Sequence, residues 1–278
     1  MGFEYLWILL AVSAALSAIG FYKYVYFLSI GYGFSIAGIG IVLAVMSMAG
    51  TFHAGVAHYL LFLLLVVYGL RLSIFLISRE WKNAAYRKTL KEVSDDESVM
   101  PFFVKIAIWV CVSLLYVSQA SPVFFRLYNG GKTSVAAWAA LVICGFALLI
   151  ESVADRQKSI QKHIRPDMVA MDGLYRIVRC PNYFGEILFW TGVFVSGLDS
   201  LSGWGQWLTA AISYVCIVYI MFNGAQRLEK RQMKRYGDDA QYNAYTNKTP
   251  IIIPLLPVYH LNKKAVPDSK GIGKIQKS

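Results

Sequence analysis

The segment VAHYLLFLLLVVYGLRLSIFLIS, residues 56–78, decides the fold, because it is apolar throughout and carries a single charged residue, Arg71. A helix needs about 20 such residues to cross the hydrocarbon core of a bilayer. Six further segments have this character, at residues 5–22, 27–49, 102–118, 134–153, 183–199 and 205–222. Lipid offers the backbone no hydrogen-bond partners, so each segment must be helical. The sequence therefore predicts an all-α integral membrane protein with seven transmembrane helices.

Charged residues are scarce and unevenly distributed along the chain. Only 15% of the residues are charged and 57% are hydrophobic, whereas soluble domains have about 25% charged residues. All Lys and Arg residues except Arg71, Arg126 and Lys132 fall on one side of the membrane if the N-terminus lies outside. The positive-inside rule then predicts an outside N-terminus and a cytoplasmic C-terminus. The net charge of +11 thus needs no nucleic-acid partner.

The domain organisation predicted from these patterns is simple. Residues 1–256 form a single seven-helix membrane domain, and the polar, basic residues 257–278 form a flexible tail. The four cysteines include no CxxC pair, and His53 and His58 are five residues apart rather than four. We therefore expect neither a disulfide framework nor a metal site. The expected location is a bacterial inner membrane, or the endoplasmic reticulum of a eukaryote, with lipids as neighbours.

Several polar residues lie in or beside the apolar segments. Ionisable groups inside a membrane are costly and therefore indicate function. Residues three or four apart share a helix face, which pairs Tyr68 with Arg71, Glu151 with Asp155, and Asn182 with Glu186. Structural alternatives remain open for each pair: a snorkelling arginine, a solvated helix end, and an ion pair between Glu186 and a neighbouring arginine.

These polar residues and a basic segment beginning at Arg227 are predicted to meet at the cytoplasmic side. Guanidinium groups match phosphate geometry, whereas carboxylates and asparagine can hold ribose hydroxyls and a carboxamide. The combination predicts a phosphorylated, nucleotide-like cofactor entering from the cytoplasm and an apolar substrate entering from lipid. No soluble-type nucleotide motif accompanies it, since Gly31-Tyr-Gly33-Phe-Ser-Ile36 breaks the G-x-G-x-x-G fingerprint.

Two stretches resemble the steroid 5-alpha-reductase family, and its bacterial branch in particular. One is Gly173-Leu-Tyr … Arg179-Cys-Pro-Asn-Tyr-Phe-Gly-Glu186, followed by Tyr236-Gly, Tyr242, Tyr245 and Thr249-Pro. The other is Tyr68 … Arg71, together with Glu151-Ser-Val-Ala-Asp155. The resemblance covers residues 60–256. Its carboxyl-half motif is shared, with changes, by membrane sterol reductases and isoprenylcysteine carboxyl methyltransferases.

The resemblance implies a seven-span reductase that uses NADPH, with Tyr68 as the catalytic residue that hydrogen-bonds a steroid 3-keto oxygen. It also implies a set of residues that bind the cofactor: Arg71, Glu151, Asp155, Arg165, Arg179, Asn182, Glu186, Arg227, Arg231 and Tyr236. The chain departs from the family in its second span, which has no acidic residue to partner the tyrosine. Tyr32, Ser35 and His53 are the candidate substitutes. The spacing from Asp155 to Arg165 is also longer than in animal members.

The expected reaction is reduction of a carbon–carbon double bond in an apolar enone, with the delta-4 bond of a 3-oxo-4-ene steroid as the expected substrate. Tyr68 would stabilise the enolate oxygen that develops in the transition state. The alternatives are an S-adenosylmethionine-dependent membrane methyltransferase and a reductase acting on a sterol ring alkene or an enoyl thioester. A transporter is disfavoured, because polar residues cluster on one side only. The preference for NADPH over NADH stays open.

Overall fold

The structure, a computed structural model, describes residues 3–84, 86–87, 90 and 101–262, and these residues contain helices and loops but no β-strand. The predicted all-α class is confirmed. In chain order the helices are α1 (Phe3–Ser17), α2 (Ile30–Met48), α3 (Val56–Lys82), α4 (Phe102–Tyr128), α5 (Val135–Ile164), α6 (Pro181–Gly197), α7 (Gly203–Tyr236) and α8 (Ala240–Thr246). Short 3₁₀ turns occupy Ala18–Phe21, Tyr24–Leu28 and Gly173–Arg176.

Six helical stretches within these described residues are long and apolar enough to cross a membrane. They are Glu4–Phe21, Tyr24–Met48, Val56–Lys82, Phe102–Tyr128, Val135–Ile164 and Gly203–Tyr236. The sixth predicted span corresponds to α6, which has 17 residues. At 1.5 Å per residue α6 is about 25 Å long, somewhat less than the hydrocarbon thickness of about 30 Å.

Three helices continue well beyond the ends predicted from hydrophobicity. Helix α4 ends at Tyr128 rather than at residue 118, α5 at Ile164 rather than 153, and α7 at Tyr236 rather than 222. The extensions of α5 and α7 are rich in Gln, Lys, Arg and Glu, which favour helix as strongly as most apolar residues do. A hydrophobicity pattern locates the part of a helix that suits lipid, and it does not locate the end of the helix.

The chain divides into two compact units. The first contains Met1–Leu148 and Ile187–Val218, and the second contains Leu149–Glu186 and Tyr219–Ser278. The divisions fall inside α5, α6 and α7 rather than in the loops that connect them. The sequence predicts one membrane domain, whereas the described chain contains these two units.

Close backbone contact between α2 and α3 organises the first unit. A Cβ atom on Gly69 would lie 2.1 Å from the carbonyl oxygen of Gly33 and 2.7 Å from the backbone nitrogen of Ala37. The Ser73 hydroxyl on α3 donates to the carbonyl of Ile30 at 3.0 Å. Small residues and hydroxyl hydrogen bonds are the usual means of packing helices in lipid, where burial from water contributes nothing. This packing fixes the register of α2 against α3.

The outer face of α3 is apolar. Leu63, Val67, Leu70 and Ile74 are 38–58% exposed and recur at the spacing of one helix face. The opposite face carries Leu61, Leu65 and Tyr68, each almost completely buried. A continuous apolar stripe of this kind is unfavourable in water and suits contact with lipid chains.

The second unit is held together by side-chain amides that fix a long loop to α5. Gln161 Oε1 accepts hydrogen bonds from the backbone N–H groups of Met171 and Asp172 at 2.8 and 3.0 Å. Gln157 Oε1 accepts from the N–H of Leu174 at 2.8 Å. The loop therefore returns along α5 and delivers the chain to the start of α6.

The segment after α8 folds back onto the same unit. The backbone N–H groups of Arg179 and Cys180 donate to the carbonyls of Pro250 and Ile251 at 2.8 and 2.9 Å. Glu229 then accepts from the N–H groups of Leu261 and Asn262 at 2.9 and 3.0 Å. The flexible tail predicted from residue 257 is therefore placed too early, since the chain makes specific contacts as far as Asn262. Residues 263–278 of that tail lie outside the described residues.

Candidate active site

A buried pair of tyrosines forms the centre of the first unit. The hydroxyl oxygens of Tyr68 on α3 and Tyr32 on α2 lie 2.9 Å apart, within hydrogen-bond distance. The indole N–H of Trp190 on α6 donates to the Tyr32 hydroxyl at 2.7 Å. A phenol has one proton to donate and can accept from more than one donor. Tyr32 can therefore accept from Trp190 and pass its own proton toward Tyr68.

Aromatic rings hold these hydroxyl groups in place. The Tyr68 ring stacks on Phe189, with centroids 4.0 Å apart and an interplanar angle of 13°. The Tyr32 ring contacts Tyr116 at 4.9 Å, and the Tyr116 hydroxyl donates to the carbonyl of Phe27 at 2.6 Å. Packed rings in an apolar interior restrict rotamers and lower the local dielectric, which strengthens the hydrogen bonds between them. The packed rings thus hold the hydroxyl pair in a fixed position.

The structure distinguishes among the three candidate substitutes for the missing second-span acid. Tyr32 contacts Tyr68 directly. Ser35 instead donates its hydroxyl to the carbonyl of Ser13 at 3.1 Å. His53 lies in the loop before α3. Tyr32 is therefore the candidate that the structure pairs with Tyr68, through a phenol rather than a carboxylate.

Arg71 follows Tyr68 by one helical turn, so the two residues share a face of α3 as predicted. Its side chain is half-buried. Further along α3, Glu80 forms an ion pair of 2.5 Å with Lys23 and accepts from the Tyr26 hydroxyl at 2.6 Å. The hydrogen bond to the Glu80 carboxylate holds the pKa of Lys23 above its ordinary value, although partial burial acts in the opposite direction. This cluster ties the end of α3 to the turn that precedes α2.

All the predicted cofactor residues except Arg71 belong to the second unit. Two of its carboxylates are buried: Glu151 is 3% exposed and Glu186 is 7% exposed. Asp155 follows Glu151 by one turn of α5 and is half-buried, and Asn182 is half-buried in the first turn of α6. Glu151 and Asp155 thus share a face of α5, and Asn182 and Glu186 share a face of α6, as the sequence predicts.

Three of the predicted cofactor residues, all of them arginines of the second unit, are exposed. Arg227 and Arg231 are four residues apart on α7, where they share a face, and Arg165 follows the end of α5. The Arg165 guanidinium makes one long hydrogen bond of 3.4 Å to Gln241. Exposed guanidinium groups retain donors for an anionic ligand. These three arginines fit the predicted role of binding phosphate.

The polar groups of Tyr236 and Arg179 have partners within the second unit. The Tyr236 hydroxyl accepts from Lys162 Nζ at 3.1 Å, and its ring contacts that of Tyr242. Arg179 is 6% exposed and forms an ion pair of 2.7 Å with Glu229. Arg179 also donates to the carbonyl of Tyr259. The placement of Arg179 favours a structural role rather than direct contact with a cofactor.

Glu229 is the principal residue of the second unit that sequence reasoning missed. It is 1% exposed, and its carboxylate contacts Arg179, His260, Leu261 and Asn262. In the sequence it stands within a run of basic residues, a pattern typical of a solvated helix end.

Two further groups near Glu229 are held neutral by burial. Burial raises the pKa of the Cys180 thiol to about 11 and that of the Tyr242 hydroxyl to about 12, so both groups are neutral at physiological pH.

Across the described residues, no three His, Cys, Asp or Glu side chains approach closely enough to hold a metal ion together. The two sets of residues present phenols, carboxylates, amides and guanidinium groups. Such groups donate protons, orient a ligand and balance its charge.

Comparison with known proteins gives one family. Residues 33–249 match the family described as "Protein of unknown function (DUF1295)". The chain belongs to this family. The match covers every predicted site residue from Tyr68 to Tyr236, and Tyr32 lies immediately before it. The predicted site residues therefore lie within the matched region, whereas Tyr32 lies one residue outside it.

A similar curated protein is an uncharacterized protein of Schizosaccharomyces pombe, C594.04c, which is 25% identical over 167 residues. The aligned region covers 51% of this chain and 46% of the yeast protein, so the chain spans about half the length of the curated relative. No solved structure matches the chain.

Proposed function

We propose that the protein is a membrane reductase that uses NADPH to reduce the carbon–carbon double bond of an apolar enone, with a 3-oxo-4-ene steroid as the substrate class. The observation that carries this proposal is the buried hydroxyl pair of Tyr32 and Tyr68, extended by the Trp190 indole. The resemblance of residues 60–256 to the steroid 5-alpha-reductase family adds support.

The chemistry follows from the position of the Tyr68 hydroxyl. Hydride addition to the β-carbon of an enone moves negative charge onto the carbonyl oxygen. A donor fixed at that oxygen binds the transition state more tightly than the ground state, and in an apolar interior this effect is strong. Tyr68 donates to the oxygen while Tyr32, polarised by Trp190, donates to Tyr68. Transfer of the Tyr68 proton to this oxygen gives the enol, which ketonises when its α-carbon takes up a proton and its O–H proton returns to Tyr68.

The residues proposed to hold the cofactor divide by chemistry. Arg71, Arg165, Arg227 and Arg231 are assigned to the phosphates, because guanidinium forks match phosphate oxygens. Glu151, Asp155, Asn182 and Glu186 are assigned to ribose hydroxyls and the carboxamide, and Tyr236 supports them with its ring. NADPH, when bound, supplies the hydride. Arg179 leaves this set, since its guanidinium pairs with Glu229 inside the protein.

The proposed arrangement in the membrane follows the charge distribution. We place the N-terminus outside and the C-terminus in the cytoplasm, with α6 as a seventh crossing between the longer helices. The membrane is a bacterial inner membrane, or the endoplasmic reticulum in a eukaryote. The substrate then arrives from the lipid phase and the cofactor from the cytoplasm.

The test uses the purified full-length protein in detergent with NADPH and a 3-oxo-4-ene steroid. Oxidation of NADPH is followed by its absorbance, and the steroid product by mass spectrometry. Tyr68→Phe is expected to lower kcat by at least about 100-fold, the usual effect of removing an oxyanion donor. The affinity for NADPH, measured by fluorescence, should change less than about twofold.

Tyr59→Phe is the matched control, since Tyr59 is a partly exposed tyrosine on the same helix. Its turnover should equal that of the unmodified protein. Wild-type turnover in Tyr68→Phe would remove Tyr68 from the mechanism. Steroid-independent consumption of NADPH, or methyl transfer from S-adenosylmethionine, would overturn the reductase assignment.

A further inference from the structure

A short apolar loop follows α8 in the second unit, at residues 251–258, and its tip projects from the protein surface. Leu255 at the tip is 98% exposed and Leu256 is 48% exposed, whereas Ile251 at the start of the loop is 2% exposed. Residues 249–259 contain no charged side chain. The apolar loop is therefore fixed at its start and presents leucine side chains at its end.

Backbone hydrogen bonds fix the base of the apolar loop to the start of α6. The N–H of Ile251 donates to the carbonyl of Val258 at 2.9 Å and closes the loop. The N–H groups of Arg179 and Cys180, which directly precede α6, donate to the carbonyls of Pro250 and Ile251 at 2.8 and 2.9 Å. The base of the loop is therefore held at the level where α6 begins.

The chain that leaves the loop is anchored to α7 close to the end of its apolar part. The apolar stretch of α7 ends at Phe222, and Gln226 follows it by about one helical turn, or about 6 Å along the axis. Gln226 Nε2 donates to the carbonyl of Leu261 at 3.3 Å, and Asn262 Nδ2 donates to the carbonyl of Gln226 at 3.0 Å. A helix that changes from apolar to polar sequence at this point passes through the membrane interface there.

The backbone conformation at the tip is unusual for a leucine. Leu255 has a φ of +68°, and among the residues that the structure describes it is the one non-glycine residue with a positive φ. This left-handed conformation favours glycine or asparagine, because it brings the Cβ of other residues close to the following carbonyl oxygen. A strained residue of this kind indicates a side chain that is retained for a contact of its own.

Lipid is the partner that fits the exposed tip, because the leucines are apolar and the base lies at the membrane interface. Pro250, Pro254 and Pro257 have no N–H group, so the loop has fewer backbone donors to remove from water when it enters the interface. Tyr259 is 36% exposed, and Lys248 precedes the loop. Tyrosine and lysine are residue types that suit the boundary between membrane and water.

We propose that the apolar loop inserts Leu255 and Leu256 into the lipid interface, at the membrane face where α6 begins. The loop thus attaches the second unit to the bilayer through a contact that does not span it. Apolar groups at the interface lie about 5–10 Å into the boundary between headgroups and acyl chains. The loop is long enough for this depth, since three extended residues span about 10 Å. The contact is independent of the proposed reaction.

Nitroxide labels can measure the depth of the loop in the full-length protein, reconstituted in phosphatidylcholine nanodiscs. Cys111 and Cys216 are replaced by alanine in the background, because Cys144 and Cys180 are buried. Oxygen concentrates in lipid, whereas a nickel chelate stays in water. A label on Leu255→Cys should therefore be relaxed more by oxygen than by the chelate, to an extent that corresponds to about 5–10 Å below the lipid phosphates.

Two further labels on α7 provide the controls. Tyr219→Cys, at a residue 68% exposed on the apolar part of the helix, is the lipid-facing control, and Lys234→Cys, at the exposed polar end, is the aqueous control. If the nickel chelate relaxes the Leu255 label as strongly as the Lys234 label, the loop lies in water and the proposed contact is overturned. Protection of the Leu255 label from both reagents would show that protein covers the tip, and this result would also overturn the contact.

A second variant tests whether the leucines hold the loop in the interface. A label on Val258→Cys reports on the base of the loop, where the side chain is 41% exposed and the backbone hydrogen bonds are kept. Leu255→Asn with Leu256→Asn makes the tip polar, and asparagine tolerates the left-handed conformation. The Val258 label should then become several-fold more accessible to the nickel chelate, while the Lys234 label keeps its spectrum because the fold is retained. Unchanged accessibility at Val258 would overturn insertion by the leucines.

Discussion

Glu229 and Arg179 form an ion pair of 2.7 Å in which both side chains are almost completely buried, with 1% and 3% of their surface exposed. The same carboxylate accepts from the N–H groups of Leu261 and Asn262 and lies 3.0 Å from His260 Nδ1. One side chain of α7 therefore joins the approach to α6 to the segment that follows α8. Both connections belong to the second unit, which contains most of the proposed cofactor residues.

Glu229→Gln is expected to destabilise the protein strongly. The substitution leaves the Arg179 charge buried without its counter-ion, which typically costs about 3–5 kcal/mol. The apparent melting temperature in detergent should fall by roughly 5–10 °C for a chain of this size. Lys230→Gln, at an exposed neighbouring position, is the control and should leave the melting temperature unchanged.

A second variant separates the ion pair from other effects of the substitution. Arg179→Met combined with Glu229→Gln should be little less stable than Glu229→Gln alone, because both changes disrupt the same interaction. Fully additive losses would show that the two residues stabilise the protein independently, in conflict with the geometry.

The sequence could not predict this pair, although it predicted the helix that carries it. Glu229 is surrounded by basic residues in Arg227-Leu-Glu-Lys-Arg231, a pattern typical of the cytoplasmic end of a transmembrane helix. Its partner lies 50 residues earlier, and no local periodicity connects the two. The family resemblance assigns Arg179 to the cofactor, whereas its guanidinium pairs with Glu229 inside the protein. Hydrophobic patterns predict helices because they report contact with lipid, and they carry no information on pairs formed by tertiary folding.

Gly69→Ala should disrupt the packing of α2 against α3. The added methyl group would lie 2.1 Å from the Gly33 carbonyl oxygen, which is backbone and cannot move aside without separating the helices. We expect a loss of about 1–3 kcal/mol in stability, as for other overpacked interiors, and a loss of turnover because Tyr68 is the preceding residue.

Gly145→Ala, on α5, is the matched control for that variant. A Cβ atom at Gly145 would have no neighbour within 4 Å, so the change should stabilise the helix by up to about 1 kcal/mol. Thermal unfolding of both variants in the same detergent makes the comparison. Equal stability of the two variants would contradict the close approach of α2 and α3.

The orientation in the membrane can be tested by cysteine labelling. Lys132→Cys should react with a membrane-impermeant maleimide on intact cells, whereas Ser159→Cys should react only after permeabilisation, as the charge distribution predicts. The background needs only Cys111 and Cys216 replaced by alanine. Cys144 is 1% exposed, and burial raises the pKa of Cys180 to about 11, so little reactive thiolate forms there at neutral pH. Labelling in the opposite order would invert the proposed topology.

In the first unit, the sequence predicts the polar residues of the candidate site but not the contacts between them. Tyr68 and Arg71 could be predicted because polar groups in an apolar helix are conspicuous. The partner of Tyr68 could only be narrowed to three residues, since the second span lacks an acid and phenols are common in membrane helices. Gln119 carries no charge and stands in no motif, so only the structure shows that its amide is buried. The partner of Tyr68 and the burial of Gln119 both depend on contacts between helices, which residue types alone do not predict.

Tyr32→Phe gives the sharpest test of the hydroxyl pair. The change removes the donor to Tyr68 and the acceptor for Trp190 while it keeps the ring, so kcat should fall by about 10-fold, equivalent to one hydrogen bond of about 1.4 kcal/mol. Ser35→Ala is the control: Ser35 lies three residues after Tyr32 on α2 and donates instead to the carbonyl of Ser13, so this variant should retain full turnover. The double variant Tyr32→Phe with Tyr68→Phe should be no slower than Tyr68→Phe alone, because Tyr32 acts through Tyr68. Additive losses in kcat would mean that Tyr32 acts on the substrate separately, and unchanged kcat in Tyr32→Phe would reduce the pair to a packing contact.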